Sequence, residues 1–266
     1  MGQAKIKRRS FAEMLANGPG CIYCAGAAVA DTIEHMPPIS MFEGRQRPKG
    51  LEFPACAGCN GNTKHSDLVA ALIANCWTNS SPARAGDIQR LLKGVSNNVR
   101  GLLEEMHLRK AGEKLARKRR NVPAQAHPMR ADGPILTHHM FRFAAKFGFA
   151  LHHEIFGAPI PKVGGVLARW FSNVEALNDE IPPVLFEILP SPVTLKQGVK
   201  SVGDQFQYSY ARTEEGGHML YFAAFNNSFA VTGITAVERS IYLQSRHQKP
   251  FQMFMPGDFA GPTTAA

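Results

Sequence analysis

The sequence predicts an α+β fold in three parts, on three observations. All five cysteines fall within residues 20–78, four of them as two CxxC pairs that bracket short extended segments. Apolar residues then recur at helical spacing through residues 83–120. From about residue 184 the chain turns to short aromatic or β-branched runs separated by turn signals. Residues 1–80 are expected to form a small cysteine-stapled module. Residues 81–134 form a basic helical connector and linker, and residues 135–266 a separate α+β domain with an antiparallel sheet.

In chain order, residues 1–19 are a basic, partly helical lead-in that ends at Gly18-Pro19-Gly20. Leu68 to Trp77 has helix-compatible apolar content, and Cys76 within it reads as a core residue. Ile88, Leu91, Leu92, Val95, Val99, Leu102, Leu103 and Met106 share one helical face. The pattern runs into Arg109, Lys110, Lys114, Arg117, Lys118, Arg119 and Arg120, after which Pro123, Pro128 and Pro134 mark a linker over 121–135. Thr137 to Phe156 reads as a helix. Val184–Leu189, Gln205–Ala211, His218–Phe225 and Phe229–Ile234 read as strands, and the close turns between the last three favour an antiparallel meander.

Composition narrows the function classes. The 266 residues are 44% hydrophobic and 19% charged, enough apolar material for a core. Lys plus Arg number 30 against 21 for Asp plus Glu, giving a formal charge of +9. That surplus favours polyanionic partners, with nucleic acid first and an anionic membrane second. The basic N-terminus lacks an apolar segment behind it, and no apolar run is long enough to span a bilayer, so a cytoplasmic location and no membrane partner are expected. Thiols stay reduced there, so paired cysteines point to a metal rather than to disulfides.

Cys21-Ile22-Tyr23-Cys24 and Cys56-Ala57-Gly58-Cys59 are spaced so that two sulfurs of each pair turn toward one ion. Four thiolates at about 2.3 Å close a tetrahedral zinc site with no open position, which makes it structural. Between the pairs lies Asp31-Thr32-Ile33-Glu34-His35-Met36-Pro37-Pro38, and Asn60 follows the last cysteine. A histidine titrating near neutrality can take a proton from water. A hard divalent ion takes few protein oxygens plus those of a substrate phosphate.

With these residues the chain resembles the HNH endonuclease family in its four-cysteine, ββα-metal form. The resemblance rests on Cys21-x-x-Cys24, Glu34-His35-Met36-Pro37 and Cys56-x-x-Cys59-Asn60, and covers about residues 20–75. It implies a metal-dependent endonuclease hydrolysing phosphodiester bonds in DNA. His35 would be the general base, and Glu34 and Asn60 would hold a catalytic Mg²⁺ or Mn²⁺. A structural zinc on Cys21, Cys24, Cys56 and Cys59 would hold the hairpin against the helix. The sequence departs from the family in three places. Lys49-Gly50-Leu51-Glu52 has no middle Asn, so a backbone carbonyl near Gly50 or Leu51 is expected to orient His35. Glu34 replaces the commoner Asp. Thr63 stands where Lys is common, with Lys64 next, so Asn62 or His65 could share the ligand role.

Arg45, Arg47 and Lys49 in the intervening loop, Lys64, and the run Arg117, Lys118, Arg119, Arg120 are candidate phosphate contacts. His138, His139, His152 and His153 lie as two pairs about 21 Å apart on one helix, too far to share an ion, and read as structural. The alternative function is a catalytically inactive zinc module that binds nucleic acid or a protein.

Overall fold

The two cysteine pairs bracket a two-stranded hairpin, and the second pair opens a helix. Strands β1 (Thr32–His35) and β2 (Glu52–Ala55) pair antiparallel, with Thr32 opposite Ala55 and His35 opposite Glu52. Helix α2 (Ala57–Asn75) begins at the second pair because Cys56 is its N-cap, its Sγ accepting from the Cys59 N–H at 3.4 Å. The computed structural model describes residues 11–76, 82–107, 129–213, 216–238 and 250–261, and a first helix, α1, covers 11–17.

The helical run after α2 is two helices, α3 (Pro82–Asn98) and α4 (Leu102–Met106). Gly101, at φ +82°, breaks it. A left-handed residue cannot continue a right-handed helix, and glycine takes that conformation at no steric cost. Leu91, Val95, Val99, Leu102 and Met106 are buried, while Leu92 is exposed. The basic run Arg109–Arg120 and most of the expected linker lie outside the described residues.

Helix α5 (Pro134–Phe156) starts with proline in its first turn and ends at Gly157 in the left-handed region. Its first amides are capped from another element: Glu105 of α4 accepts from Ile135 N and Leu136 N, both at 2.8 Å. Every residue from Phe143 to His152 is buried, as expected of a helix covered on all sides. It packs against α2 on one side and against the large sheet on the other.

That sheet contains β3 (Gly165–Ser172), β6 (Phe206–Arg212), β7 (His218–Phe225), β8 (Phe229–Ala236) and β9 (Gln252–Phe254), in the antiparallel order β6-β7-β8-β3-β9. Between β3 and β6 come α6 (Asn173–Leu177), α7 (Val184–Ile188) and a small hairpin, β4 (Lys196–Gln197) with β5 (Lys200–Ser201). The meander over β6, β7 and β8 forms where the turn signals put it.

Three expectations need correction. Val184–Leu189 was expected as a strand and is the helix α7 followed by an extended Leu189. Pro182-Pro183 fixes the backbone for a first helical turn, and the apolar side chains of Val184, Phe186 and Ile188 are exposed rather than paired in a sheet. Cys76, expected in the core, is exposed at the end of α2. The third concerns the boundary at 134/135, which does not separate two cores: one contiguous cluster of buried side chains runs from Cys21 to Phe259. Among the described residues, no helix is long and apolar enough to cross a membrane.

Candidate functional site

The first knuckle folds locally. Gly26 N–H donates to Cys21 O at 3.0 Å, Ala27 N–H to Cys24 O at 3.0 Å, and Cys21 N–H to Ala28 O at 3.1 Å. Ala25 and Gly26, at φ 54° and 72°, turn the chain back toward β1. The second knuckle is the first turn of α2. Together they bring the four sulfurs within 4.8 Å of one another, all buried and none in a disulfide. Tetrahedral zinc at about 2.3 Å from each sulfur needs S···S separations of about 3.8 Å, so the donor set fits.

The thiols show what a cation would add. Hydrogen bonding from the Cys59 thiol lowers Cys21 to about 5. The same bond raises Cys59, and burial raises Cys24 to about 11. Without metal a thiolate is favoured at Cys21 and disfavoured at Cys24 and Cys59, and a bound dication would remove that resistance and release protons.

Strand alternation divides the residues singled out on β1. Thr32 and Glu34 share one face, and Ile33 and His35 the other. On the first face, Asn60 Nδ2 donates to Thr32 Oγ1 at 3.1 Å, and Thr32 Oγ1 donates to Ala55 O at 2.8 Å. Asn60 thus meets the strand two residues before Glu34. Glu34 is 5% exposed. Its Oε1 accepts from His35 N at 3.1 Å, and its Oε2 lies 2.9 Å from Lys146 Nζ. Lys146, from the middle of α5, also donates to Asp67 Oδ2 of α2 at 2.5 Å. Burial alone would lower Lys146, but the Asp67 and Glu34 carboxylates more than offset it and hold its ammonium above the ordinary lysine value.

On the second face His35 keeps a third of its side chain exposed, with Nε2 3.6 Å from Glu52 Oε1 across the hairpin. The Phe11 ring stands edge-on to the imidazole, centroids 6.1 Å apart. Glu52 also lines a cleft with Glu13, His153 and Glu154. The stretch without a middle Asn therefore supplies a carboxylate beside the histidine. The Gly50 and Leu51 carbonyls, expected to orient His35, are instead acceptors for Arg47.

Arg47 itself was a candidate phosphate contact, and its geometry takes it out of that set. Its side chain is 2% exposed and donates to five backbone carbonyls, those of Met36, Pro37, Pro48, Gly50 and Leu51. Burial pulls its guanidinium down to about 10, against the carboxylates of Glu52 and Glu34. Arg45, Lys49 and Lys64 are exposed, as is Asn62, while His65 is half-buried in a shallow cleft with Lys64 and Asp67. Arg117, Lys118, Arg119 and Arg120 lie outside the described residues.

The four helix histidines do not meet at one point. Ser66 Oγ lies 3.1 Å from His139 Nδ1, and Thr235 Oγ1 lies 2.8 Å from His152 Nδ1. Among the described residues, the four cysteines are the one close cluster of three or more candidate metal-binding side chains. Sequence reasoning missed Glu52, Asp67 and Lys146. Strand register could have indicated Glu52 once β1 and β2 were paired. No family model, curated protein or solved structure matches the chain.

Proposed function

We propose that the N-terminal module is a zinc-stapled phosphodiester hydrolase of the HNH type, acting on DNA. In this reading His35 takes the proton from the water that attacks phosphorus, the P–O bond to the 3′-oxygen breaks and that oxygen takes a proton from solvent. Glu52 holds the imidazole in place and stabilises the imidazolium that forms. The observation that carries the reading is the partly exposed His35 facing a carboxylate, on a hairpin whose two flanking cysteine pairs converge. A separation of 3.6 Å is long for a hydrogen bond, and such bonds commonly tighten when substrate binds. A zinc on the four cysteines would supply no reactive position and would hold the two knuckles together. The exposed Arg45, Lys49 and Lys64 are the proposed contacts to backbone phosphates, with Arg117, Lys118, Arg119 and Arg120 named for the same task from sequence.

The resemblance also implies a catalytic Mg²⁺ or Mn²⁺ on Glu34 and Asn60. These residues do not fit that ion. The Glu34 carboxylate is enclosed and already faces an ammonium, and the Asn60 amide is turned to Thr32. The Lys146 ammonium already occupies the inner side of that carboxylate, so a dication would have to displace it.

The Lys146 contact favours a second reading, a zinc-held module that binds nucleic acid without cutting it. Plasmid relaxation by zinc-loaded wild type and His35→Ala, with and without Mg²⁺ or Mn²⁺, separates the two. A general base contributes roughly 10²–10⁴-fold, so His35→Ala should lose at least about 10²-fold. Equal cleavage by both proteins refutes the role of His35. Binding that weakens steeply with salt, without cleavage, supports the second reading.

A further inference from the structure

Lys146 is the least expected side chain in the molecule. It lies in a run of ten buried residues on α5 and is itself 0% exposed. Lysine is almost never fully buried unless paired, and here the partners come from two other elements, Glu34 on β1 and Asp67 on α2. The Tyr23 ring forms another wall, its centroid 5.8 Å from Nζ. Tyr23 Oη and Asp67 Oδ1 are both buried with no hydrogen-bond partner among the described residues. Arg47 adds a second positive charge that acts on Glu34. Two carboxylates from the strand and the helix therefore face one ammonium.

We infer that the Lys146 ammonium is the built-in cation of the Glu34–Asp67 pair, that this protein takes no divalent ion at Glu34, and that removing the ammonium would turn the pair into a divalent-cation site. The geometry is that of a cation cage. Carboxylate oxygens are the donor type that a hard dication takes. An ammonium satisfies the same carboxylates with one positive charge and three directed donors, and needs no water. Because Lys146 belongs to α5, the cation also fastens the hairpin and α2 to the helix that underlies the large sheet. The inference stands whether or not the module cleaves DNA, since its test reads ion binding.

The experiment is a Mn²⁺ titration of zinc-loaded protein, followed by the paramagnetic resonance signal of free Mn²⁺. Four proteins are compared: wild type, Glu34→Gln, Lys146→Met and Lys146→Met/Glu34→Gln. Superimposable isotherms are expected for wild type and Glu34→Gln. Lys146→Met should gain one Mn²⁺ per chain, and the double variant should lose it. Wild-type Mn²⁺ binding that Glu34→Gln abolishes overturns the inference, and that comparison decides the matter even if Lys146→Met does not fold. A folded Lys146→Met that gains no Mn²⁺ overturns the claim that the ammonium keeps the ion out.

Discussion

Replacing Arg47 separates a structural from a nucleic-acid role for the loop between the strands of the hairpin. The guanidinium donates to Pro37 O at 2.8 Å, Pro48 O at 3.0 Å, Met36 O at 3.1 Å, Gly50 O at 2.5 Å and Leu51 O at 3.2 Å. The last three share Nη2, so about three full bonds are at stake rather than five. Bonds to a charged donor contribute roughly 1.5–3 kcal/mol each, and part of that is recovered when an opened loop rehydrates its carbonyls. Arg47→Ala should therefore cost about 4 kcal/mol. Arg47→Lys keeps the charge but loses the planar fork, and should cost about 2 kcal/mol. Urea unfolding of zinc-loaded protein measures both. The second readout is the salt dependence of the proposed DNA binding, whose slope would change by about one for each phosphate contact removed. A buried Arg47 leaves that slope unchanged. Variants within about 0.5 kcal/mol of wild type, with a slope reduced by one, would return Arg47 to the nucleic-acid surface.

Three further outcomes test other parts of the structure. Maleimide should label one thiol, Cys76, in zinc-loaded chain and all five after chelation. Chelation should also lower the melting temperature, because metal-binding energy is folding energy in such a site; five reactive thiols before chelation would refute the metal site. Burial lowers His152 from 6.5 to about 4, so below pH 6.5 the unfolded chain takes up a proton that the folded chain refuses. Stability should fall as pH drops from 6.5 toward 4. His139, lowered by burial to about 4 as well, adds to the slope, and His152→Gln should reduce it; an unchanged slope refutes the assignment. Gly148→Ala should destabilise by about 1–3 kcal/mol despite alanine's helix propensity. A Cβ there would meet Val166 Cγ1 at 2.7 Å and Tyr221 Oη at 2.8 Å, where α5 crosses the sheet; a raised melting temperature would contradict that packing.

Legibility followed sequence distance. The knuckles and the start of α2 were readable because each is decided by neighbours a few residues apart, whereas the hairpin between them came with the resemblance. The β7 boundaries coincided with its turn signals for the same reason. Strand β3 was not readable, since it is paired on both sides and seven of its eight residues are buried, which erases the alternation that marks a strand. The core shared across residue 135 was hidden as well. The change in composition near residue 135 suggested a domain boundary, yet α5 is the element the two halves share. The run Arg142-Phe143-Ala144-Ala145-Lys146-Phe147 gives no sign that its lysine is destined for Glu34 and Asp67.

Adjacency misled most at Glu34-His35. In sequence the pair reads as one catalytic unit, an acid for an ion beside a base for water. In a strand, adjacent residues point to opposite faces, and β1 keeps its ladder through both. Glu34 therefore turns in to the ammonium of Lys146, and His35 turns out to Glu52. The inward residue helps hold three elements together, and the outward one keeps contact with solvent. Glu34→Gln and His35→Ala should accordingly differ in kind. The first removes one carboxylate from a buried ion pair, a loss of about 3–5 kcal/mol when a partner is left unpaired, moderated here because Asp67 still faces Lys146. The second leaves the core intact and should change only the chemistry at the exposed face of the hairpin. Equal loss of stability in both variants would mean that the two faces of β1 are not divided in this way.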